Sequence, residues 1–557
     1  MNPGRWNRLR PLAAAVVALW SLLPAAATAI AADIEEALRC VVYSVVELPF
    51  AGPHETAKDA PARDVDFCGA FRHESGSAEI TVQGFWDGDG RGGTSGNVFK
   101  LRFCATRPGR WTLAKVESNR PELAGQRQGQ SIVAEDCQLR GFWEVDDESP
   151  GRRWYRRSDG SHQYILGNTH YSFLSGYGPE GRPIGNDVAA DVRGNAEYFK
   201  KLRLGLTGCR YPNPDEKPFL DDAGEPTDDG DYSHRPNPRW FHQRADVAVR
   251  TAFEVDLIAD LILCGPDTED SRSTLRAGAG GGDPTPWLRY VAARYGSYPN
   301  VWICLCNEFD IKSPSYTPIQ TAEFGRTIRR FLPYPTPLSV HTVPKTLWPG
   351  EFDSLPPWHD HQIIQKKLRN LTPSADAIEE VWRNGGGKGP RNKPTINDEL
   401  SYQGDGDKHS EGDTIESHLG ALLGGGYGTT GFKPGNKLGH YFWGNFNPAE
   451  HTAADNLRFL RETVDAEVTF WRMAPGTDIF ENLDGEFRSL AWPGREYLLG
   501  SNRARSGIVA HLPEGQWAVT RHDVVAKEST VLDRAASGRF VFDAPASRAV
   551  LFHFRKR

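Results

Sequence analysis

"YVAARYGSYPNVWICLCNEFD", residues 290–310, decides the fold. Its first part reads as the end of a helix, broken at Gly296 and Pro299. The run from Val301 to Cys306 is apolar, short and rich in strand formers, so it reads as a strand buried on both faces. It stops abruptly on Asn307 and Glu308. An unpaired carboxylate at the end of a buried strand is costly, so Glu308 meets either a partner or a working cleft.

The same helix-then-strand unit recurs on either side. Strands are expected at 163–173, 206–214, 257–267, 300–310, 337–344, 361–368, 394–404 and 427–432. Helical patterns at 188–205, 239–256, 284–297, 319–332, 374–385 and 413–426 alternate with them, and 456–474 supplies a last helix. Eight strands in about 290 residues, each but the last clearly followed by a helix or long loop, predict an α/β fold of the (β/α)8 TIM-barrel type. Short β-rich runs precede and follow it. They predict an N-terminal β-sandwich over 32–140 and a small C-terminal β-sandwich over 476–557, with the barrel occupying 141–475. Trp86 and Trp111 of the first sandwich are read as core aromatics rather than sugar platforms.

Residues 1–31 carry Arg5, Arg8 and Arg10, then an apolar run ending in small residues, the pattern of a cleaved signal peptide. The expected location is therefore secreted or periplasmic, with no membrane contact once the signal is removed. A formal charge of −7 and the lack of a basic, aromatic-rich cluster argue against nucleic acid as partner. Of the eight cysteines, Cys40, Cys68, Cys104 and Cys137 permit two disulfides without imposing them. Cys209, Cys264, Cys304 and Cys306 read as small core residues, and no zinc-like Cys/His spacing appears.

In a TIM barrel the chemistry sits at the C-terminal strand ends. Those ends carry His170, Arg210, Asn307, Glu308, His341, His361, Gln365, Glu399 and Tyr402, with Trp443 beyond the last strand. Two carboxylates on strands four and seven face each other across such a mouth, as glycosidic hydrolysis requires: one acid for the leaving oxygen and one carboxylate for the anomeric carbon. Glu308 is assigned as acid/base, beside an Asn able to hold a sugar hydroxyl. Glu399 is assigned as nucleophile, kept ionised by Arg210 and Tyr402. His170, His341 and His361 are read as hydrogen-bonding walls of a sugar subsite rather than metal ligands, and Trp443 as a flat face for a pyranose. No cofactor and no metal are expected.

"GFWDGDG…VFKLRFCATRPGRWT", "FEVDLIADLILCGPD", "YVAARYGSYPNVWICLCNEFD", "LSVH", "PTINDELSYQGD" and "LLGGGYGTTGF" together resemble a known family. They look like exported bacterial proteins that join an N-terminal β-sandwich, an apiosidase-like barrel of the large retaining glycoside hydrolase clan, and a C-terminal domain of collagen-binding type. The resemblance implies that Glu308 is the acid/base and Glu399 the nucleophile, with Arg210, Asn307 and Trp443 at the matching strand ends. The chain departs from the relatives at strand eight, where Thr430 and Phe432 stand in place of a His and an acid. The expected function is a retaining glycosidase acting on a polysaccharide or oligosaccharide. Long loops after strands two, five and eight narrow the mouth and favour exo action. Two other classes share part of the pattern: a glycan-binding protein that has lost catalysis, and a lyase acting on a uronic-acid-containing glycan with Tyr402 or a His as base.

Overall fold

The computed structural model describes residues 37–557 except 186, 208–209, 266–272, 277–281, 312, 343–347, 355–356, 385–390, 406–408 and 436–437. The expected signal peptide and Cys209 lie outside the described residues.

Eight parallel strands among the described residues form a nearly closed barrel. They are β1 (Leu166–His170), β2 (Lys201–Gly205), β3 (Ile258–Ile262), β4 (Val301–Cys304), β5 (Leu338–Ser339), β6 (Gln362–Ile364), β7 (Thr395–Asp405) and β8 (Tyr427–Gly435). Parallel pairing runs from β5 back to β1, then through β8 and β7 to β6. At the β5–β6 seam the Asp360 N–H donates to the Leu338 carbonyl (2.8 Å) and the Ser339 hydroxyl to the His361 carbonyl (2.6 Å). Around the barrel lie α1 (Val188–Ala196), α2 (Asp246–Glu254), α3 (Thr285–Tyr295), α4 (Pro318–Arg329), α5 (Leu371–Asn384) and α6 (Glu411–Leu423). The short α7 (His440–Trp443) and the long α8 (Ala453–Glu467) follow β8.

The second strand differs from its expected position. The described residues of the expected run, 206–207 and 210–214, carry no strand, and β2 is Lys201–Gly205, which the sequence reading assigned to the end of a helix. The reason is burial inside a barrel. Successive side chains alternate, so Leu202 and Leu204 join the apolar layer under the helices while Lys201 and Arg203 point inward to acids on other strands. A pattern of charged residues every second position mimics a solvated helix when those acids are far away in sequence.

Residues 38–135 form a seven-stranded sheet that folds over itself: Phe71 stacks on Phe103 at 4.0 Å, although a third strand separates theirs in the sheet. Trp86 and Trp111 are buried in its core, as expected. Cys40, Cys68, Cys104 and Cys137 are unbridged. This sheet is tied to the barrel by buried charge. Arg102 and Arg294 of α3 both grip Asp246 of α2, and Arg294 also reaches Asp87 at 2.9 Å. Residues 474–556 form a six-stranded and a three-stranded sheet around a separate apolar cluster. No helix among the described residues is long and apolar enough to cross a membrane.

Candidate active site

Beyond Cys304 the chain leaves β4 and turns sharply. The Asn307 N–H donates to the Cys264 carbonyl beyond β3, and the Phe309 N–H to the His341 carbonyl beyond β5. Between these two anchors Glu308 takes a left-handed backbone conformation (φ +49°), a strained choice for a residue with a side chain, and such strain concentrates at working sites. The turn delivers the Glu308 carboxylate into the barrel mouth, where it meets Gln365.

Glu399 arrives by a different device. On a regular strand Asp398 and Glu399 would face opposite sides. β7 has an irregular register between Asn397 and Ser401, and the bulge turns both inward. Asp398 points down to Lys201 Nζ (2.5 Å) and the Thr429 hydroxyl (2.6 Å), while Glu399 lies higher, among Tyr171 and Gln365.

Gln365, just past β6, joins the two acids. Its amide nitrogen donates to Glu308 Oε1 at 2.8 Å and to Glu399 Oε2 at 2.7 Å. One nitrogen serving both oxygens caps their separation at about 5.5 Å. The opposite oxygen of Glu399 accepts the Tyr171 hydroxyl at 2.6 Å. Behind Tyr171 stands Arg203, fully buried, which donates to the Tyr171 oxygen (3.0 Å) and to Asn307 Oδ1 (2.8 Å). A single guanidinium thus orients the neighbour of Glu308 and the hydrogen-bond donor of Glu399. Asp398, ionised by Lys201 and Arg203 well below the usual carboxylate range despite its burial, anchors that guanidinium from beneath. Gly205 closes β2 because a Cβ there would stand 2.5 Å from the Tyr171 carbonyl oxygen.

Burial is the largest influence on Glu399 and raises its pKa above the ordinary value, with repulsion from Glu308 adding to it. Lys367, Arg203 and the Tyr171 hydroxyl act in the opposite direction. Lys367 holds its place through Asp405 (2.5 Å) and lies over the Tyr402 ring.

The expected site residues separate into four groups. Glu308, Glu399, Gln365 and Asn307 meet at the mouth. Tyr402 is close, but its hydroxyl lies 3.3 Å from Tyr171 and donates to Thr169, so Tyr171 holds the Glu399 contact expected of it. Arg210 and Trp443 lie on the rim. Arg210 is exposed, with its guanidinium 5.9 Å from the Phe442 ring, and Trp443 is half-buried against Tyr211. The expected pairing of Arg210 with Glu399 is corrected: the strand-two arginine in the barrel is Arg203, because the strand lies earlier in the chain than its apolar pattern suggested. The histidines form the last group. His341 is buried beside Asp398, whose pKa it helps to lower. His170 faces outward, where its Nδ1 meets Asp191 of α1 at 2.7 Å, since Thr169 occupies the inward position on β1. His361 precedes β6 and so sits at the opposite end of the barrel, bonded to the Tyr155 hydroxyl at 2.8 Å and packed on Trp302. Neither His170 nor His361 is a wall of this cleft.

Three residues of the cleft escaped the sequence reading: Tyr171, Arg203 and Lys367. Tyr171 had a usable signal, one place beyond His170 and on the inward side of the alternation. Arg203 and Lys367 lie in charged runs, "KKLRLG" and "QKKL", that carry no local mark of burial.

Comparison with known proteins adds the following. Residues 39–117 match the family described as Domain of unknown function (DUF5060). No curated protein matches the chain. Among solved structures, a candidate glycoside hydrolase from Bacteroides vulgatus superposes with a TM-score of 0.70 at 19% identity, covering 93% of this chain and 100% of its own. A glycoside hydrolase family 5 protein from Bacteroides vulgatus gives 0.57 at 12% identity, covering 75% of this chain and 93% of its own. A further protein described as a glycoside hydrolase gives 0.55 at 14% identity, covering 75% of this chain and 97% of its own. At these identities the likeness is one of fold: the chain shares its architecture with glycoside hydrolases of the TIM-barrel type.

Proposed function

We propose that this protein is a retaining glycoside hydrolase in which Glu308 is the acid/base and Glu399 the nucleophile. The observation that carries the reading is the shared Gln365 amide, which keeps the two carboxylate oxygens within about 5.5 Å. Double displacement places its carboxyl groups about 5–5.5 Å apart, whereas inversion leaves room for a water and about 6.5–9.5 Å. Glu308 protonates the glycosidic oxygen while Glu399 attacks the anomeric carbon, forming a glycosyl ester and releasing the aglycone. Glu308 then takes a proton from water, the water displaces Glu399, and the sugar leaves with its original anomeric configuration. Asn307, oriented by Arg203, is placed to bind a hydroxyl next to the reacting carbon, and Tyr171 to steady Glu399 as charge moves onto and off it.

The substrate class is a polysaccharide or its oligosaccharides. Arg210, Tyr211 and Trp443 on the rim are a surface on which such a chain would lie. The proposed architecture is an apiosidase-like barrel between two β-sandwiches, in an exported protein with a cleaved leader and a mouth narrowed for exo action. The lyase alternative loses two of its candidate bases, because His170 and His361 lie away from the mouth.

The test is a glycan panel with anomer-resolved product analysis, followed by Glu399→Gly. That variant should lose activity by several orders of magnitude and, with added azide, yield a glycosyl azide of inverted configuration. A wild type that binds glycans but releases no reducing ends would replace the enzyme with a binding protein. Unsaturated products absorbing in the near ultraviolet would replace hydrolysis with elimination.

A further inference from the structure

A second cluster of chemistry-bearing side chains lies away from the barrel mouth, where the last helix meets the C-terminal sheets. Glu467 ends α8. His522 and His553 stand on the antiparallel strands Trp517–Asp523 and Val550–Lys556. In their register Thr520 opposes His553, so His522, two residues from Thr520, shares a face with His553. The two rings are 6.2 Å apart. One candidate donor atom from each of Glu467, His522 and His553 lies within 4.8 Å of the others.

His522 makes this more than a chance cluster. It is fully buried, and its Nε2 has no hydrogen-bond partner. That nitrogen lies 3.7 Å from Glu467 Oε2, too far for a hydrogen bond but a natural spacing for two donors around one ion. A buried ring nitrogen left without a partner is expensive, and this one is aimed at a carboxylate and a second imidazole. One nitrogen of each ring is already held. His522 Nδ1 bonds the Ser529 hydroxyl at 2.8 Å, and His553 Nε2 bonds Glu496 Oε1 at 2.7 Å. Glu496 is itself steadied by the Thr469 N–H. The Glu496 carboxylate keeps the proton on His553 Nε2 and leaves Nδ1 as a lone-pair donor, and Ser529 orients the His522 ring, the support typical of metal-binding histidines.

We propose that Glu467, His522 and His553 bind a divalent transition metal of the zinc class, fastening the C-terminal sheet to α8. Two imidazoles and one carboxylate suit zinc better than calcium or magnesium, which prefer all-oxygen sets. Tetrahedral donors at about 2.0–2.1 Å from an ion stand roughly 3.4 Å apart, so the cluster must contract somewhat on binding. Glu467, about half exposed, has the freedom to supply that movement while the two buried rings stay in place. The Glu467 and Glu496 carboxylates offset the ion's charge, against Arg555, which donates to the Glu467 carbonyl. The role is structural, a clamp between the end of α8 and two histidines that lie 55 and 86 residues further along the chain.

The test uses the tag-free full chain, stripped with chelator and desalted, then titrated with zinc by calorimetry and with cobalt by visible absorption. Wild type should bind one zinc equivalent at this site, give the intense cobalt bands of a low-coordinate N/O site, and melt at a higher temperature with zinc than without. Glu467→Gln changes a half-exposed side chain and should fold normally, yet bind zinc at least about tenfold more weakly and lose the thermal response. A wild type that holds no zinc equivalent overturns the proposal. So does a Glu467→Gln protein that binds and responds to zinc as wild type does.

Discussion

At the scale of single residues, the cleft depends on how much charge can be kept in a small, buried space. Glu399 is buried, and its pKa is raised, first by that burial and then by Glu308. On the proposed mechanism Glu399 attacks in its ionised form, so the acid limb of the pH–rate profile should lie above the ordinary glutamate range, near pH 4.3. Lys367 and Tyr171 both favour the ionised form. Removing either stabilising influence raises the Glu399 pKa further, and the acid limb moves to higher pH. Lys367→Met should show this shift with the plateau rate largely kept. Tyr171→Phe should show it together with a fall in kcat of about 10²-fold, because a donor to the proposed nucleophile is lost. Rate profiles of kcat/KM against pH for both variants check the sign. An acid limb moving to lower pH would contradict the assigned electrostatics.

At the scale of elements, the decisive feature is the bulge in β7, which turns two consecutive acids into the barrel for different purposes. Asp398 serves the interior with Lys201 and Arg203, and Glu399 serves the mouth. Asp398→Ala should leave a buried Lys and a buried Arg short of a counter-charge, at a cost of about 3–5 kcal/mol. Activity should fall as well, since Arg203 orients both Tyr171 and Asn307. Thermal melts and kcat measured on the same preparation check this, and a loss of activity with unchanged stability would place Asp398 in the chemistry instead. Histidine substitutions give the opposite expectation. His170→Gln and His361→Gln should lower stability while leaving KM unchanged, because those rings contact Asp191 and Tyr155 outside the cleft.

At the scale of the whole molecule, buried charge also fastens one domain to the next. Asp246 is gripped by Arg102 of the N-terminal sheet and Arg294 of α3; burial alone would raise its pKa, yet the two guanidiniums hold it far below the usual range. A carboxylate whose pKa is lowered in the folded state contributes stability above its unfolded value, near pH 4, and loses it as the pH falls towards the folded value. Asp246→Ala should cost about 3–5 kcal/mol at neutral pH, and the deficit should shrink on acidification. Calorimetric melts of both proteins between pH 3 and 7 check it. A constant deficit across that range would mean that packing, not charge, holds the junction.

Much of this protein is written locally. The alternation of short apolar runs with helical patterns predicts the barrel, and the cost of burying a carboxylate singles out Glu308 and Glu399, which the structure brings together through Gln365. Gln365 and Asn307 follow from the same reading of strand ends. What no local pattern carries is which inward-facing groups meet once eight strands close and stagger. Barrel closure brings Arg203 to Asn307 across 104 positions and Tyr171 to Glu399 across 228. It also sends His170 outward and His361 to the far end, although both sit beside apolar strands as the residues at the mouth do. Alternation along a strand is a short-range property readable from the chain. The depth and direction of each side chain in the barrel depend on bulges and on register against neighbours hundreds of residues away, and those only the tertiary structure decides.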